Sequence, residues 1–146
     1  MFYTKVLRPI FFQCNPEFMH DFMVFFGQIF GWFASARWLI KLIWGYRGPD
    51  ISKTIDGLRY ERPVLLSAGF DCDGELTGIL PCISFGGEEV GSVTARPCPG
   101  NPKPQLTRLI RNKTLVVYKG LKNQGAEAIA KRLARRNIRE KFVVGI

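Results

Sequence analysis

The sequence predicts an α/β fold, in which a helical N-terminal segment precedes parallel strands joined by crossover helices. Aromatic residues are concentrated at the start of the chain, where residues 1–46 hold 14 of the 19 Phe, Trp and Tyr residues. Short apolar runs and helix-forming stretches then alternate, which is the pattern of a parallel sheet with crossover helices. Gly and Pro residues punctuate this second part, which has a mixed composition.

Two helices are predicted in the aromatic part. Asn15 suits a helix N-cap, Pro16 suits the first helical position, and Glu17 complements the positive end of the helix dipole. Apolar residues follow at helical spacing over residues 18–33, and a second helix is predicted over about 35–44. Spanning a bilayer takes about 20 apolar residues, so neither helix qualifies alone. We expect a pair lying in the membrane interface, with two ordinary core helices as the alternative.

The rest of the chain is predicted to alternate between strands and helices. In order, these are a short hairpin or extended lead-in at 55–60, a buried strand at 64–68, a helix at 75–83, a strand at 89–93, a Pro-rich loop at 97–104, an extended stretch at 115–118, an amphipathic helix at 124–136 and a strand at 142–146. Three parallel strands with crossover helices are the first part of a TIM (β/α)8 barrel, which needs roughly 250 residues. The chain has 146 residues and ends within a predicted strand, which favours truncation. The expected boundary separates a helical segment, 1–48, from a partial barrel, 49–146.

Charge and cysteine content narrow the function classes. Residues 96–146 carry 13 basic and 2 acidic side chains, which suits an anionic membrane, a phosphorylated ligand or nucleic acid, or only a solvated helix face. Nucleic-acid binding through 113–141 is the weakest of these, because no standard binding motif appears, and we expect no nucleic-acid partner. The four cysteines show no CxxC spacing and His20 is the single histidine. Neither a metal site nor a disulfide framework is expected.

One segment has the chemistry of a ligand site. Residues 66–75 read Leu-Ser-Ala-Gly-Phe-Asp-Cys-Asp-Gly-Glu, so small residues end a predicted strand. Small residues there let a flat ring lie against the backbone, and barrel enzymes bind ligands at that end. The segment is preceded by Asn-Pro-Glu at 15–17 and by His20. It is followed by Gly-Ser-Val-Thr at 91–94, by a Gly-Asn-Pro-Lys-Pro run at 100–104, and by Thr-Arg-Leu at 107–109.

In this order, the motifs closely resemble quinone-dependent, membrane-associated (class 2) dihydroorotate dehydrogenases over essentially all of the chain. The resemblance implies an FMN enzyme of pyrimidine synthesis that oxidises dihydroorotate to orotate and passes electrons to a quinone. It implies a peripheral protein on the cytoplasmic face of the cell membrane. It also implies that the catalytic Ser and most of the flavin cradle lie beyond Ile146, so the isolated chain is expected to be inactive and to bind FMN weakly or not at all.

The resemblance assigns roles to residues of this chain. The FMN contacts are Ser67, Ala68, Gly69, Phe70, Asp71 and Ser92; the substrate contacts are Cys72, Val117, Tyr118, Lys119, Gly120 and Leu121; the quinone contacts are His20 and Arg108. No catalytic residue and no metal ligand is assigned.

Two positions depart from the family's pattern. Cys72 stands where the family has a Lys, and Val117 stands where it has an Asn; a thiol supplies no fixed positive charge. Lys119, Lys122 or Asn123 are candidates for binding the anion instead, and loss of the substrate contact is the alternative. A second reading is a non-catalytic peripheral membrane module with a basic amphipathic helix, which predicts salt-sensitive binding to anionic vesicles.

Overall fold

The computed structural model describes residues 3–135 and 142–146. Both predicted N-terminal helices are confirmed, as α2 (Pro16–Trp32) and α3 (Ala34–Trp44). The Asn15 side chain accepts hydrogen bonds from the backbone N–H groups of Glu17 and Phe18, at 2.8 and 3.3 Å. This is the N-cap that the sequence predicts. Helical turns before it were not predicted: a π-helix, Tyr3–Leu7, continues into α1, Arg8–Gln13.

The helical segment is short for a membrane span. No single helix in the described ranges is long and apolar enough to cross a bilayer. Helices α2 and α3 reach that length and composition only when they are taken together, and they are bent by 112° at the break between them.

A parallel sheet of three strands forms the centre of the body. Strands β3 (Leu65–Leu66), β4 (Gly87–Glu89) and β7 (Val143–Gly145) lie side by side in that order and run in the same direction. The three predicted strands are therefore confirmed as parallel neighbours. The middle strand begins and ends earlier than the predicted range 89–93. A Cβ at Gly87 would lie 2.6 Å from the Val143 carbonyl oxygen, so strand pairing uses this side-chain-free residue.

Two antiparallel hairpins accompany the sheet, one before β3 and one between β4 and β7 in sequence. Strands β1 (Lys53–Ile55) and β2 (Leu58–Tyr60) form a hairpin around Asp56 and Gly57, both at positive φ as tight hairpin turns require. Of the two alternatives that the sequence left open here, a short hairpin or an extended lead-in, the structure shows the hairpin. Strands β5 (Leu106–Leu109) and β6 (Thr114–Val117) form the second hairpin. The sequence predicted an extended stretch near β6 but missed β5.

The predicted helix at 75–83 is wrong. The structure has a 3-10 helix over Leu80–Ile83 only, preceded by turns. The backbone N–H groups of Glu75 and Leu76 are bound by the carboxylate of Asp71, so this segment starts on a side-chain-capped turn. Pro81 lacks an N–H group and limits any longer helix.

Helix α4 (Ala126–Arg135) confirms most of the amphipathic helix predicted at 124–136; Arg136 lies outside the described residues. Its inward residue Ile129 is 1% exposed. Elsewhere the core joins the two parts of the chain: Val24 of α2 packs in one cluster with side chains of the body, which are Leu76, Ile79, Leu80 and Phe142. Helix α2 is thus a packed helix of this fold.

Candidate functional site

A cavity of about 360 Å³ opens at the carboxyl end of β3. Its walls come from the turn after β3, the residues after β4, Asn101 in the loop before β5, and the end of β6 with the segment that follows it. The lining residues are Ala68, Gly69, Cys72, Gly91, Ser92, Asn101, Val117, Tyr118, Lys119, Gly120, Leu121 and Lys122. The structure therefore brings three of the residues expected at FMN together with all six expected at the substrate.

Three of the residues expected at FMN are not among this lining. Ser67 follows β3 directly, and Phe70 places its ring against His20, with centroids 4.9 Å apart. Asp71 is 2% exposed. Its carboxylate accepts hydrogen bonds from the backbone N–H groups of Asp73, Glu75 and Leu76, at 3.1, 2.9 and 2.6 Å. Its described contacts therefore shape the turn that borders the cavity.

The small residues leave room for a flat ligand. A Cβ at Gly69, where φ is +104°, would meet nothing within 4 Å, so this backbone faces open space. A Cβ at Gly91 would come within 3.3 Å of the Cys72 backbone. Gly120, at φ +65°, packs so close to Asn101 that a Cβ would lie 2.9 Å from its side chain. A side chain at either of the last two glycines would narrow the cavity or push its wall away.

The electrostatic character of the cavity is cationic. Lys119 and Lys122 line it, and none of its described lining residues is acidic. Asn123, the third candidate for anion binding, instead stabilises the scaffold: it is 4% exposed and its side chain bonds Thr94, Leu121 and Gly125. Of the three candidates, the two lysines are thus the ones that a ligand in the cavity would meet.

His20 and Arg108, both expected at the quinone, lie on α2 and β5, which pack against each other. His20 faces a recess with room for about one water, lined also by Lys119 and Lys122. Its Nε2 lies 2.7 Å from the Phe70 carbonyl oxygen and 3.0 Å from Lys119 Nζ. Arg108 is not among the residues that line this recess.

Arg108 instead holds the start of the chain. Its guanidinium donates to the carbonyl oxygens of Phe12 and Cys14, at 3.1 and 3.3 Å, and stacks 4.2 Å from the centroid of the Phe12 ring. These contacts fix the segment that leads into α2. His20 and Arg108 thus lie on neighbouring elements, but each of them contacts different residues.

The Cys72 thiol is sensitive to the charge in the cavity. Burial raises the pKa of the Cys72 thiol above its usual value, and the nearby Lys119 ammonium opposes that rise. Burial likewise raises the pKa of Cys82, where Arg37 and Lys41 are the opposing charges. The thiolate is the reactive form of cysteine, so both thiols are expected to react slowly at neutral pH.

Replacing Lys119 by glutamine should therefore slow alkylation of Cys72. Loss of the ammonium removes the charge that stabilises the thiolate, so the pKa of Cys72 rises further and less thiolate is present at a given pH. Peptide mass spectrometry after timed iodoacetamide treatment at several pH values measures this. Cys82 is the internal control and should react at an unchanged rate; faster Cys72 labelling in the variant would contradict the assignment.

Two features of the site were not predicted from the sequence. Asn101 lines the cavity. Its Gly-Asn-Pro motif supported the family resemblance, but no ligand contact was predicted for Asn101 itself. The contact between Lys119 and His20 joins residues 99 positions apart. The Gly-Asn-Pro motif could have indicated Asn101. Nothing in the sequence indicates the contact between Lys119 and His20.

Parallel strands that end at a cavity with a small-residue rim and two lysines define an α/β protein with a candidate ligand site at the carboxyl end of its sheet. Comparison with known proteins agrees with this class. The family described as Dihydroorotate dehydrogenase matches residues 50–146. The chain belongs to the dihydroorotate dehydrogenase family.

Individual relatives are similar over most of the chain. A dihydroorotate dehydrogenase (quinone) from Synechococcus sp. is 36% identical over 141 residues, covering 91% of this chain and 37% of the relative. One from Mycobacteroides abscessus is 38% identical over 136 residues, covering 93% of this chain and 38% of the relative. The crystal structure of a DHODH from Eimeria tenella in complex with ferulenol superposes with a TM-score of 0.68 at 27% identity, covering 90% of this chain and 35% of that chain. The chain thus spans little more than a third of the length of these relatives.

Proposed function

We propose that the chain forms the N-terminal part of a quinone-dependent dihydroorotate dehydrogenase, which oxidises dihydroorotate to orotate in pyrimidine synthesis. The single observation that carries the proposal is the cavity of about 360 Å³ at the end of β3. Residues that family resemblance assigns to a flavin and residues that it assigns to the substrate line the same space. The barrel that completes this site would be the TIM (β/α)8 barrel of which β3, β4 and β7 are the first strands.

FMN is the proposed cofactor and would supply the hydride chemistry when bound. The residues present fit it: Ala68, Gly69 and Gly91 leave the wall of the cavity free of bulky side chains, and Ser92 offers a hydroxyl group. Lys119 and Lys122 add positive charge, which favours the carboxylate of dihydroorotate or orotate. These residues would therefore orient a flat cofactor and an anionic substrate within one space.

The proposed quinone route runs along the helical segment. Residues 1–48 are proposed as the membrane-docking part and residues 49–146 as the first part of the FMN-binding barrel. Support comes from the exposed aromatic side chains of the segment, since Trp32, Trp38 and Trp44 are all more than 60% exposed. Large exposed apolar patches mark membrane or protein interaction sites, and tryptophan favours the membrane interface. We propose that the protein sits peripherally on the cytoplasmic face of the cell membrane.

Placing charge on the exposed face of α3 should reduce membrane binding. The double variant Trp38→Glu, Ile43→Glu removes two side chains that are 67% and 57% exposed. It is expected to weaken vesicle binding at least tenfold, because each buried apolar side chain contributes about 1.5–3 kcal/mol. Flotation with vesicles containing anionic lipid measures this.

Ile110→Glu is the control, because Ile110 is 70% exposed and lies in the turn between β5 and β6, outside α3. It should bind vesicles as the unchanged chain does. Equal binding by all three proteins would refute membrane docking through α3.

Flavin binding tests the proposed function. We expect the isolated chain to purify with little or no flavin absorbance and to show no dehydrogenase activity. A chimera joining this chain to the C-terminal remainder of the Mycobacteroides abscessus relative should purify yellow and reduce a quinone in the presence of dihydroorotate. A folded chimera that binds FMN but neither oxidises dihydroorotate nor binds orotate would refute the proposed activity, and stoichiometric FMN in the isolated chain would refute the expected weak binding.

A further inference from the structure

One carbonyl oxygen in the cavity wall binds two functional side chains from different parts of the chain. The Lys119 ammonium donates to the Gly69 carbonyl oxygen at 3.0 Å, and the Cys72 thiol donates to the same oxygen at 3.8 Å. All three residues line the cavity of about 360 Å³. A positive charge from the segment after β6 therefore lies beside the thiol of the turn that follows β3.

The Lys119 ammonium has no negatively charged partner among the described residues. Lys119 is buried, with 8% exposed. Its hydrogen-bond partners are the Gly69 carbonyl oxygen and Nε2 of His20, and neither group is an anion. The ion pairs between described residues do not include Lys119. A buried charge is costly unless it is paired, so this ammonium favours an anion in the cavity.

The carboxylates closest to this wall bind elsewhere. Asp71 and Asp73 oppose a negative charge on the Cys72 sulfur, but neither of them lines the cavity. The Asp71 carboxylate accepts three hydrogen bonds from its own turn. The Asp73 carboxylate accepts from the Gln124 backbone N–H group at 2.7 Å. Among the described residues, the charged groups that an occupant of the cavity meets are thus lysines.

The two lysines of the cavity differ in burial. Lys122 is only half-buried, whereas Lys119 is buried. Water and salt screen an exposed charge, while a buried charge acts through a lower dielectric constant. Lys119 is therefore expected to dominate the attraction of an anion into the cavity.

We propose that Lys119 and the turn 69–72 form an anion-binding subsite, in which a small carboxylate contacts the Lys119 ammonium beside the Cys72 thiol. The subsite prefers carboxylates to neutral molecules of the same size. Position 72 needs no charge of its own, because Lys119 supplies one from another segment. The subsite deepens the proposed function, on which it rests only for the identity of the natural ligand, by placing the carboxylate of dihydroorotate or orotate at Lys119.

The Cys72 thiol reports on the subsite, because its thiolate reacts with reagents of different charge. Iodoacetate is an anion, and iodoacetamide is a neutral molecule of nearly the same size. In either reaction the sulfur forms a bond to carbon, and iodide leaves with the electron pair of the carbon–iodine bond. Peptide mass spectrometry after timed labelling, at slightly alkaline pH and low salt, gives both rates at Cys72. Their ratio does not depend on the fraction of thiolate, since the same thiolate reacts with both reagents.

The ratio of the iodoacetate rate to the iodoacetamide rate at Cys72 should be higher in the folded chain than in the urea-denatured chain, by on the order of tenfold, because a positive potential concentrates the anion. Lys119→Gln should lose most of this excess, and Lys119→Arg, which keeps the charge, should retain most of it. Lys53→Gln is the matched control. It removes one exposed positive charge from β1, outside the lining of the cavity, and should leave the ratio unchanged.

Equal ratios in the folded and denatured unchanged chain overturn the proposal without any variant. A larger loss in Lys122→Gln than in Lys119→Gln also overturns it. Labelling of Cys82, which packs against the core, shows whether a variant is folded. If Lys119→Gln does not fold, Lys122→Gln decides: most of the excess retained supports Lys119, and most of the excess lost overturns its role.

The proposed function fails separately from the subsite. An active chimera together with equal ratios in the folded and denatured chain overturns the subsite alone. An inactive chimera together with the expected charge preference at Cys72 counts against the proposed function and supports the subsite.

Discussion

Replacing Asp71 by alanine is expected to lower the free energy of unfolding by about 3 kcal/mol, since hydrogen bonds to a buried charged group are each worth about 1.5–3 kcal/mol and their loss leaves buried donors unsatisfied. Asp71 is 2% exposed, and its carboxylate accepts hydrogen bonds from three backbone N–H groups of the turn after β3. Alanine supplies no acceptor, and water reaches the freed N–H groups poorly. Urea unfolding followed by circular dichroism measures the change.

Asp50→Ala is the control for that experiment. The Asp50 side chain is 71% exposed and accepts from a neighbouring backbone N–H group at Ser52. Its removal should hardly change the unfolding midpoint. Equal stability of Asp71→Ala and the unchanged chain would mean that the turn does not depend on the carboxylate.

Replacing Asn123 by alanine is the second large effect, with an expected loss of about 2–3 kcal/mol. Asn123 Nδ2 donates to Thr94 Oγ1 at 3.0 Å and to the Leu121 carbonyl oxygen at 2.8 Å, while its Oδ1 accepts from the Gly125 N–H at 2.8 Å. These bonds join the residues after β4 to the start of α4. The same unfolding measurement tests the expected loss.

Gln124→Ala is a matched control beside it. The Gln124 side chain accepts one exposed hydrogen bond, from Arg132 at 2.7 Å, so its loss should cost less than a third of the effect at Asn123. If Asn123→Ala instead leaves stability unchanged and weakens orotate binding, Asn123 is an anion-binding residue, as one of the interpretations of the sequence had it.

The parts of the fold that the sequence predicts correctly depend on neighbouring residues. The start of α2 is set by Asn15, Pro16 and Glu17, which are adjacent, and the amphipathic face of α4 repeats within ten residues. The outer strands β3 and β7 come from unbroken apolar runs. Local physics decides these elements, so a single sequence is enough to place them.

The parts that the sequence did not predict depend on distant partners. Strand β4 contains Glu88, which is 1% exposed, and a buried carboxyl side chain in a strand contradicts the apolar pattern on which the prediction relied. The segment after Gly74 has helical spacing, but its apolar side chains pack against Val24 of helix α2, and only Leu80–Ile83 form a 3-10 helix. The contacts of His20 reach 50 and 99 positions along the chain. Resemblance to a family named most of the cavity wall, whereas spacing alone gave no sign of these bonds.

Helix α2 is attached to the body along most of its length. Near the start of α2, the Glu17 carboxylate accepts a hydrogen bond from the Gln105 backbone N–H group. In the second half of the helix, the Gln28 side chain donates to the Glu75 carboxylate at 3.2 Å. Gly27 faces Leu76, with no space for a Cβ between them. Two such separated attachments prevent the helix from swivelling. If its aromatic neighbours rest on a bilayer, the angle between the lipid plane and the mouth of the cavity is fixed, and a molecule leaving the lipid always approaches the protein from the same side.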